Sequence, residues 1–97
     1  MLAGGISPGL QAPTEEITQL AETFQAQAQT QANATFETFE VIGYSTQVVA
    51  GTNYYIRVRT GADTYTDLRV YEPLPGQGEM ELSSVKVGVA KDAAFTF

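Results

Sequence analysis

The spacing of apolar residues predicts one helix in the first third of the chain. Residues 14–33 carry apolar side chains at intervals of three and four, which is typical of a helix with one narrow apolar face. Thr14 is placed to cap the first turn, and the carboxylates of Glu15 and Glu16 oppose the positive end of the helix dipole. The apolar face consists of Ile17, Leu20, Ala21, Phe24 and Ala28.

The second half of this helix has a less regular pattern. Gln and Ala alternate over residues 25–32, and a period of two is also compatible with a strand. Because both residue types favour helices and are poor strand formers, we continue the helix to about Asn33. A Gln-rich aggregation segment is the alternative interpretation.

From residue 35 onward the pattern predicts β-strands. Apolar and polar side chains alternate with a period of two, and clusters of turn residues interrupt the alternation. The predicted strands are residues 36–50, 53–60, 64–72 and 79–89, with a bulge or bend near Gly43 in the long first strand. Residues 91–97 follow as a short tail whose two Phe residues are expected to pack back onto the sheet.

These elements indicate an α+β fold in which one N-terminal helix packs across a four- to five-stranded antiparallel sheet. The helix covers the sheet face that alternation makes apolar, which includes Ile56, Val58, Leu68 and Val70. The opposite face is predicted to remain in water, with weak pairing between its charged side chains. Those side chains are Arg57, Arg59, Asp67 and Arg69.

Composition excludes several classes of function. The 97 residues suit a single domain, with residues 1–12 as a flexible, unpaired N-terminal arm. The chain contains neither Cys nor His, which removes disulfides, thiolate chemistry and the common metal ligands. A net charge of −6, with only five dispersed basic residues, argues against nucleic acid and anionic membranes. We expect no enzyme activity, because no carboxylate group is clustered with a nucleophile, and no cofactor or metal. Neither a secretory signal nor a membrane span is evident, so a cytoplasmic location is expected.

Three uncharged segments combine Gly with apolar side chains. They are residues 2–5 of the arm, residues 47–53 (the first tip) and residues 74–78 (the second tip). If the strands alternate in direction, both tips lie at one end of the sheet, and a helix of about 27 Å lets the arm reach that end. We expect an apolar wedge that can enter a cleft, since desolvating an unpaired charge there would cost several kcal/mol.

The residues of these segments resemble the stefins, the single-domain, disulfide-free branch of the cystatin family. The sequence of the first tip fits the family motif Q-x-V-x-G and continues into Thr-Asn-Tyr-Tyr, and the second tip contains Leu-Pro without the Trp of secreted cystatins. Gly4-Gly5 and the helix start at Pro13-Thr14-Glu15 also match. The resemblance covers essentially the whole chain.

This resemblance implies a reversible, tight-binding competitive inhibitor of papain-like cysteine proteases, such as papain and the lysosomal cathepsins. The arm would occupy the upstream substrate subsites, the first tip would lie beside the catalytic Cys, and the second tip would pack on the leaving-group side. The implied protease-binding residues are Leu2, Ala3, Gly4, Gln47, Val48, Val49, Ala50, Gly51, Leu74, Pro75 and Gly76.

Two alternatives accompany this interpretation. The fold could serve as an interaction module or engineered scaffold that binds a partner other than a protease. We expect a monomer, whereas a domain-swapped dimer would form if the first tip opened into one long strand. The arm also differs from what would bind best. Ala3 is small for the main apolar pocket of such a protease, and the pair Gly4-Gly5 leaves open which residue of the arm occupies which subsite.

Overall fold

The computed structural model describes residues 10–97 and confirms the predicted α+β fold. Within these residues, two helices pack against a four-stranded antiparallel sheet with the strand order β1-β2-β3-β4. Each strand therefore pairs with its neighbour in the sequence. The elements are α1 (Glu15–Thr23), α2 (Gln25–Ala32), β1 (Glu40–Val49), β2 (Gly51–Arg59), β3 (Tyr65–Glu72) and β4 (Glu81–Val89).

The predicted helix is present but is divided in two at Phe24. Its start is as expected, since the Thr14 hydroxyl accepts a hydrogen bond from the N–H of Ile17 at 3.1 Å. Phe24 leaves the helical conformation, with ψ at 7°, and its side chain packs against the core. The second helix ends at Asn33, which adopts the left-handed conformation at φ 53°. The Gln/Ala segment is therefore helical, although its residues alternate with the period of a strand.

The first strand is shorter than predicted, and the chain before the helix pairs with its edge. The pairing with β2 shifts register between Val41 and Gly43, which confirms the predicted bulge. Gln11 and Tyr44 exchange two main-chain hydrogen bonds of 2.8 and 3.1 Å. A side chain on Gly43 would collide with Leu10, so glycine permits this close passage. The expectation of an unpaired arm is therefore wrong at Gln11, and residues 1–9 lie outside the described residues.

The core lies between the helices and the inner face of the sheet, as predicted. Ile17 and Ala21 of α1 and Ala28 of α2 are buried against apolar side chains from the strands. Half-buried aromatic rings close the margins of this cluster. The buried strand residues are Val41, Ile56, Val58, Leu68, Val70 and Leu82.

The outer face of the sheet is not the solvated surface that the sequence predicted. Arg57 and Asp67 are opposite each other in the register of β2 and β3, and both side chains are 0% exposed. The guanidinium donates two hydrogen bonds of 2.7 Å to the carboxylate, one from Nε and one from Nη2. This is the planar bidentate geometry that Arg favours with carboxylates. Arg59 and Arg69 remain partly exposed.

The C-terminal tail covers this pair and explains its burial. Arg57 Nη1 donates hydrogen bonds to the carbonyl oxygens of Lys91 (3.0 Å) and Ala93. The ring of Phe95 lies 4.7 Å from the guanidinium carbon, and both Phe95 and Phe97 pack on Tyr55. The predicted return of the two Phe residues to the sheet is confirmed. The alternation of apolar and polar residues along the strands could not show that these two Phe side chains pack on the sheet face that carries Arg57 and Asp67.

We expect Asp67→Asn to lower the free energy of unfolding by about 3 kcal/mol or more, because it leaves the Arg57 charge buried without its counter-ion. Urea unfolding measures the loss. Glu40→Gln is the matched control, since Glu40 pairs with Arg59 at 3.6 Å in a partly exposed position. The control should lose less than about 1 kcal/mol. Equal losses in the two variants would show that burial does not set the strength of the Arg57–Asp67 pair.

Candidate functional site

The two tips lie at the same end of the sheet and share a groove. Antiparallel order places the β1–β2 and β3–β4 connections at one end, as the alternating strand directions predicted. The groove between them has a volume of about 450 Å³. It is lined by Val48, Val49, Gly51, Thr52, Glu72, Pro73, Leu74, Pro75, Gly76, Gly78 and Met80.

The first tip is an unusually tight turn. Main-chain pairing of β1 with β2 continues through Val48↔Thr52 to Val49↔Gly51, so Ala50 alone lies between the paired residues. Gly51, Thr52 and Asn53 have residue types that favour turns, but all three are paired strand residues, and the turn lies one residue earlier, at Ala50. The reversal is achieved at Gly51, whose φ is 106°. L-amino acids with side chains rarely adopt this conformation.

A second constraint also requires glycine at position 51. A Cβ atom there would lie 2.8 Å from the Tyr71 hydroxyl and 3.0 Å from Cε1 of the same ring, and it would collide with the carbonyl oxygen of Glu72. Backbone and ring atoms of β3 thus approach the tip as closely as a glycine allows. The sequence pattern places Gly51 between the first two predicted strands but does not indicate this packing.

Apolar side chains project from both tips into solvent. Val48 is 68% exposed, Val49 is 44% exposed and Leu74 is 50% exposed. Adjacent residues of a strand point to opposite faces, so the two Val side chains cover both faces of the first tip. Grouped apolar exposure at one end of a small domain is typical of a surface that binds a partner.

Gln47 is directed into the hairpin itself. Its Oε1 atom accepts hydrogen bonds from Asn53 Nδ2 at 3.1 Å and from the Tyr55 hydroxyl at 2.7 Å. These bonds join β1 and β2 immediately before the turn. Among the predicted site residues, Gln47 is therefore one whose side chain braces the hairpin.

The second tip is a regular β-turn. Gln77 donates its N–H to the carbonyl oxygen of Leu74 at 2.9 Å, which closes a four-residue turn with Pro75 in the second position. Gly76 in the third position has φ 79°, the value of a type II turn. Apart from Gly76 and its two neighbours in the chain, residues 10–97 place no heavy atom within 4 Å of the position that a Gly76 side chain would occupy, so the turn projects from them freely.

The residues next to the tips that the sequence pattern did not indicate include Tyr71, Glu72 and Met80. The Tyr71 hydroxyl donates a hydrogen bond to the carbonyl oxygen of Ala50, and Glu72 and Met80 line the shared groove. The Glu72 carboxylate accepts a hydrogen bond of 3.0 Å from the Tyr54 hydroxyl. Burial, followed by this bond, raises the pKa of Tyr54 above its usual value of 10.0. Extending the hairpin register to the strand ends would have placed Glu72 near the first tip.

The remaining predicted site residues, Leu2, Ala3 and Gly4, lie outside the described residues. In residues 10–97, neither helix has the length and apolar content required to cross a membrane. The same part of the chain has no group of acidic residues arranged to hold a metal ion.

We expect Gly51→Ala to destabilise the protein more than Gly76→Ala. Both substitutions place a side chain at positive φ, which costs roughly 1–2 kcal/mol. Only the Gly51 variant also forces a collision with Glu72 and Tyr71, because the Gly76 site is open. The difference in the free energy of unfolding, measured in urea, should exceed about 1 kcal/mol. Equal values would mean that β3 moves away from the tip at no cost.

Comparison with known proteins agrees with this architecture. A family model described as the cystatin domain matches residues 4–92. The chain is 41% identical to Cystatin-A of Homo sapiens, over 99% of this chain and 98% of the relative. It is 42% identical to Leukocyte cysteine proteinase inhibitor 1 of Sus scrofa, over 99% and 93%. It is 43% identical to Cystatin-B of Paralichthys olivaceus, over 88% and 87%.

The family match spans most of the chain, and the relatives align with it almost from end to end. The cysteine-free sequence and the Leu-Pro second tip agree with the type 1 branch. The chain therefore belongs to the cystatin family, as a type 1 cystatin (stefin).

Proposed function

We propose that the protein is a reversible, tight-binding competitive inhibitor of papain-like cysteine proteases and is not an enzyme. The observation that carries this proposal is the first tip, a one-residue turn with Val side chains on both faces beside the apolar second tip. The relative from Sus scrofa is named a cysteine proteinase inhibitor, which supports the same function.

The first tip is shaped to enter a cleft without being cleaved. A protease cleaves a substrate that lies extended across its catalytic residues, whereas the chain reverses direction at Ala50. The main chain at Gly51 has no side chain to hold it away from a protease surface. Val48 and Val49 then bury apolar area against the cleft walls, at about 25 cal/mol per Å² of apolar surface removed from water.

We expect the second tip and the arm to extend the binding surface on either side of the first tip. Leu74 and Pro75 would pack on the leaving-group side of the cleft, with Gly76 completing their turn. Leu2, Ala3 and Gly4 would occupy the upstream subsites, a role that rests on the family resemblance. Because binding depends on shape and buried area rather than on a covalent bond, inhibition is expected to be reversible.

We expect Val49→Asp to raise the Ki for papain at least about 100-fold, because it desolvates an unpaired carboxylate in the interface. Titration of papain with the parent protein should abolish activity at a 1:1 ratio. Val87→Asp is the matched control, since Val87 is 52% exposed on β4 and does not line the groove. Gly4→Arg should also raise Ki if the arm binds as proposed.

These measurements separate inhibition from the alternative of an interaction module. A parent protein that leaves papain fully active at any excess would contradict the proposed function. Equal Ki values for Val49→Asp and Val87→Asp would contradict the placement of the first tip in the cleft. We predict that the targets are papain-like enzymes such as the lysosomal cathepsins, and that the protein is located in the cytoplasm. Assays for inhibition and for the presence of the protein in cell fractions test these two predictions.

We also propose that the inhibitory form is the monomer. A domain-swapped dimer would straighten the chain through Ala50 and erase the turn that enters the cleft. If size-exclusion chromatography separates a dimer, we expect the monomer fraction to inhibit papain and the dimer fraction to be inactive. A dimer as active as the monomer would contradict this requirement for a closed hairpin.

A further inference from the structure

Tyr71 connects the third strand to the turn of the first tip. It lies near the end of β3, opposite Asn53 of β2. Its hydroxyl donates a hydrogen bond to the carbonyl oxygen of Ala50. Its ring lies directly against Gly51, where a Cβ would be 3.0 Å from the ring atom Cε1.

This contact holds Ala50, a residue of the first tip that no main-chain pairing within residues 10–97 attaches to the sheet. The pairing of β2 with β3 ends at Thr52 and Glu72, so Ala50 and Gly51 extend beyond the last registered pair. Ala50 is also outside the pairing of β1 with β2. The Tyr71 hydroxyl therefore holds a carbonyl group that lies outside both registers.

The hydrogen bonds of Gln47 serve a different purpose. They connect its side chain to Asn53 and Tyr55, which are both in β2, and so they stiffen the hairpin internally. The bond from Tyr71 instead runs from β3 to the turn. It ties the Ala50 carbonyl to the strand that leads into the second tip.

We propose that Tyr71 is a positioning residue for protease inhibition, because its hydroxyl holds the Ala50 carbonyl and thereby keeps the first tip in the conformation that enters the cleft. This inference rests on the proposed function. A tip that is already ordered loses less conformational entropy on docking than one that must be ordered by the protease. The net effect of one such hydrogen bond corresponds to roughly a 5- to 10-fold change in an equilibrium constant.

Tyr71→Phe tests this role, since it removes the hydroxyl and keeps the ring over Gly51. Tyr65→Phe is the matched control, because Tyr65 lies at the opposite end of β3, paired with Arg59. We expect Tyr71→Phe to raise the Ki for papain about 5- to 10-fold. In the free protein it should also speed amide hydrogen exchange at residues 48–52. The control should change neither quantity, and Tyr71→Phe should lower the stability to urea by no more than the loss of one hydrogen bond explains.

The outcomes distinguish positioning from other roles. A higher Ki with unchanged exchange at residues 48–52 would show that the hydroxyl contacts the protease directly, and it would overturn the positioning role. Faster exchange across the whole sheet, with a loss of stability to urea larger than one hydrogen bond explains, would reduce Tyr71 to a general stabilising residue. An inhibiting parent with an equally potent Tyr71→Phe variant would overturn the inference alone. A parent that does not inhibit papain would overturn the proposed function, and the positioning role with it.

Discussion

The pairing of β1 with β2 to within one residue of its turn is the constraint on which the binding surface depends. Because Val49 is paired with Gly51, the chain must reverse at Ala50, and only glycine accepts the resulting φ of 106° beside the Glu72 carbonyl. The same pairing sets adjacent Val side chains on opposite faces of a narrow ribbon. A looser turn would let these side chains pack against the sheet, and their apolar surface would then not be available to a partner.

A rigid tip requires a rigid sheet behind it, and the outer face provides one through a buried ion pair. Arg57 and Asp67 join β2 to β3 midway along the strands, and the tail closes over them. Such a pair is costly to desolvate and contributes little net stability, yet it tolerates only one geometry. Its two parallel hydrogen bonds require Arg57 to lie opposite Asp67, which is where the register of β2 against β3 places it. That register brings Tyr71 beneath the turn at the end of the same two strands.

The sequence predicted the fold class, the strand order and the end of the sheet where the tips meet, because periodicity and turn residues report local geometry. It failed where a distant segment changed the environment. Arg57 and Asp67 alternate like surface residues, and their burial depends on Phe95 some thirty positions later. The break at Phe24 was hidden because the apolar spacing continues through it. The turn at Ala50 was missed because Gly51 and Asn53 suit a turn, whereas both are paired with residues of β1.

Polar groups in the first hairpin are used within the protein, and this division explains how an uncharged surface remains specific. The Gln47 amide bonds to Asn53 and Tyr55, and the Ala50 carbonyl receives the Tyr71 hydroxyl. The side chains that then face a partner are apolar, and apolar side chains impose no hydrogen-bonding direction of their own. Selectivity must come from the shape in which those groups are held. The hydrogen bonds that hold this shape lie within the protein and leave its apolar side chains free to contact a partner.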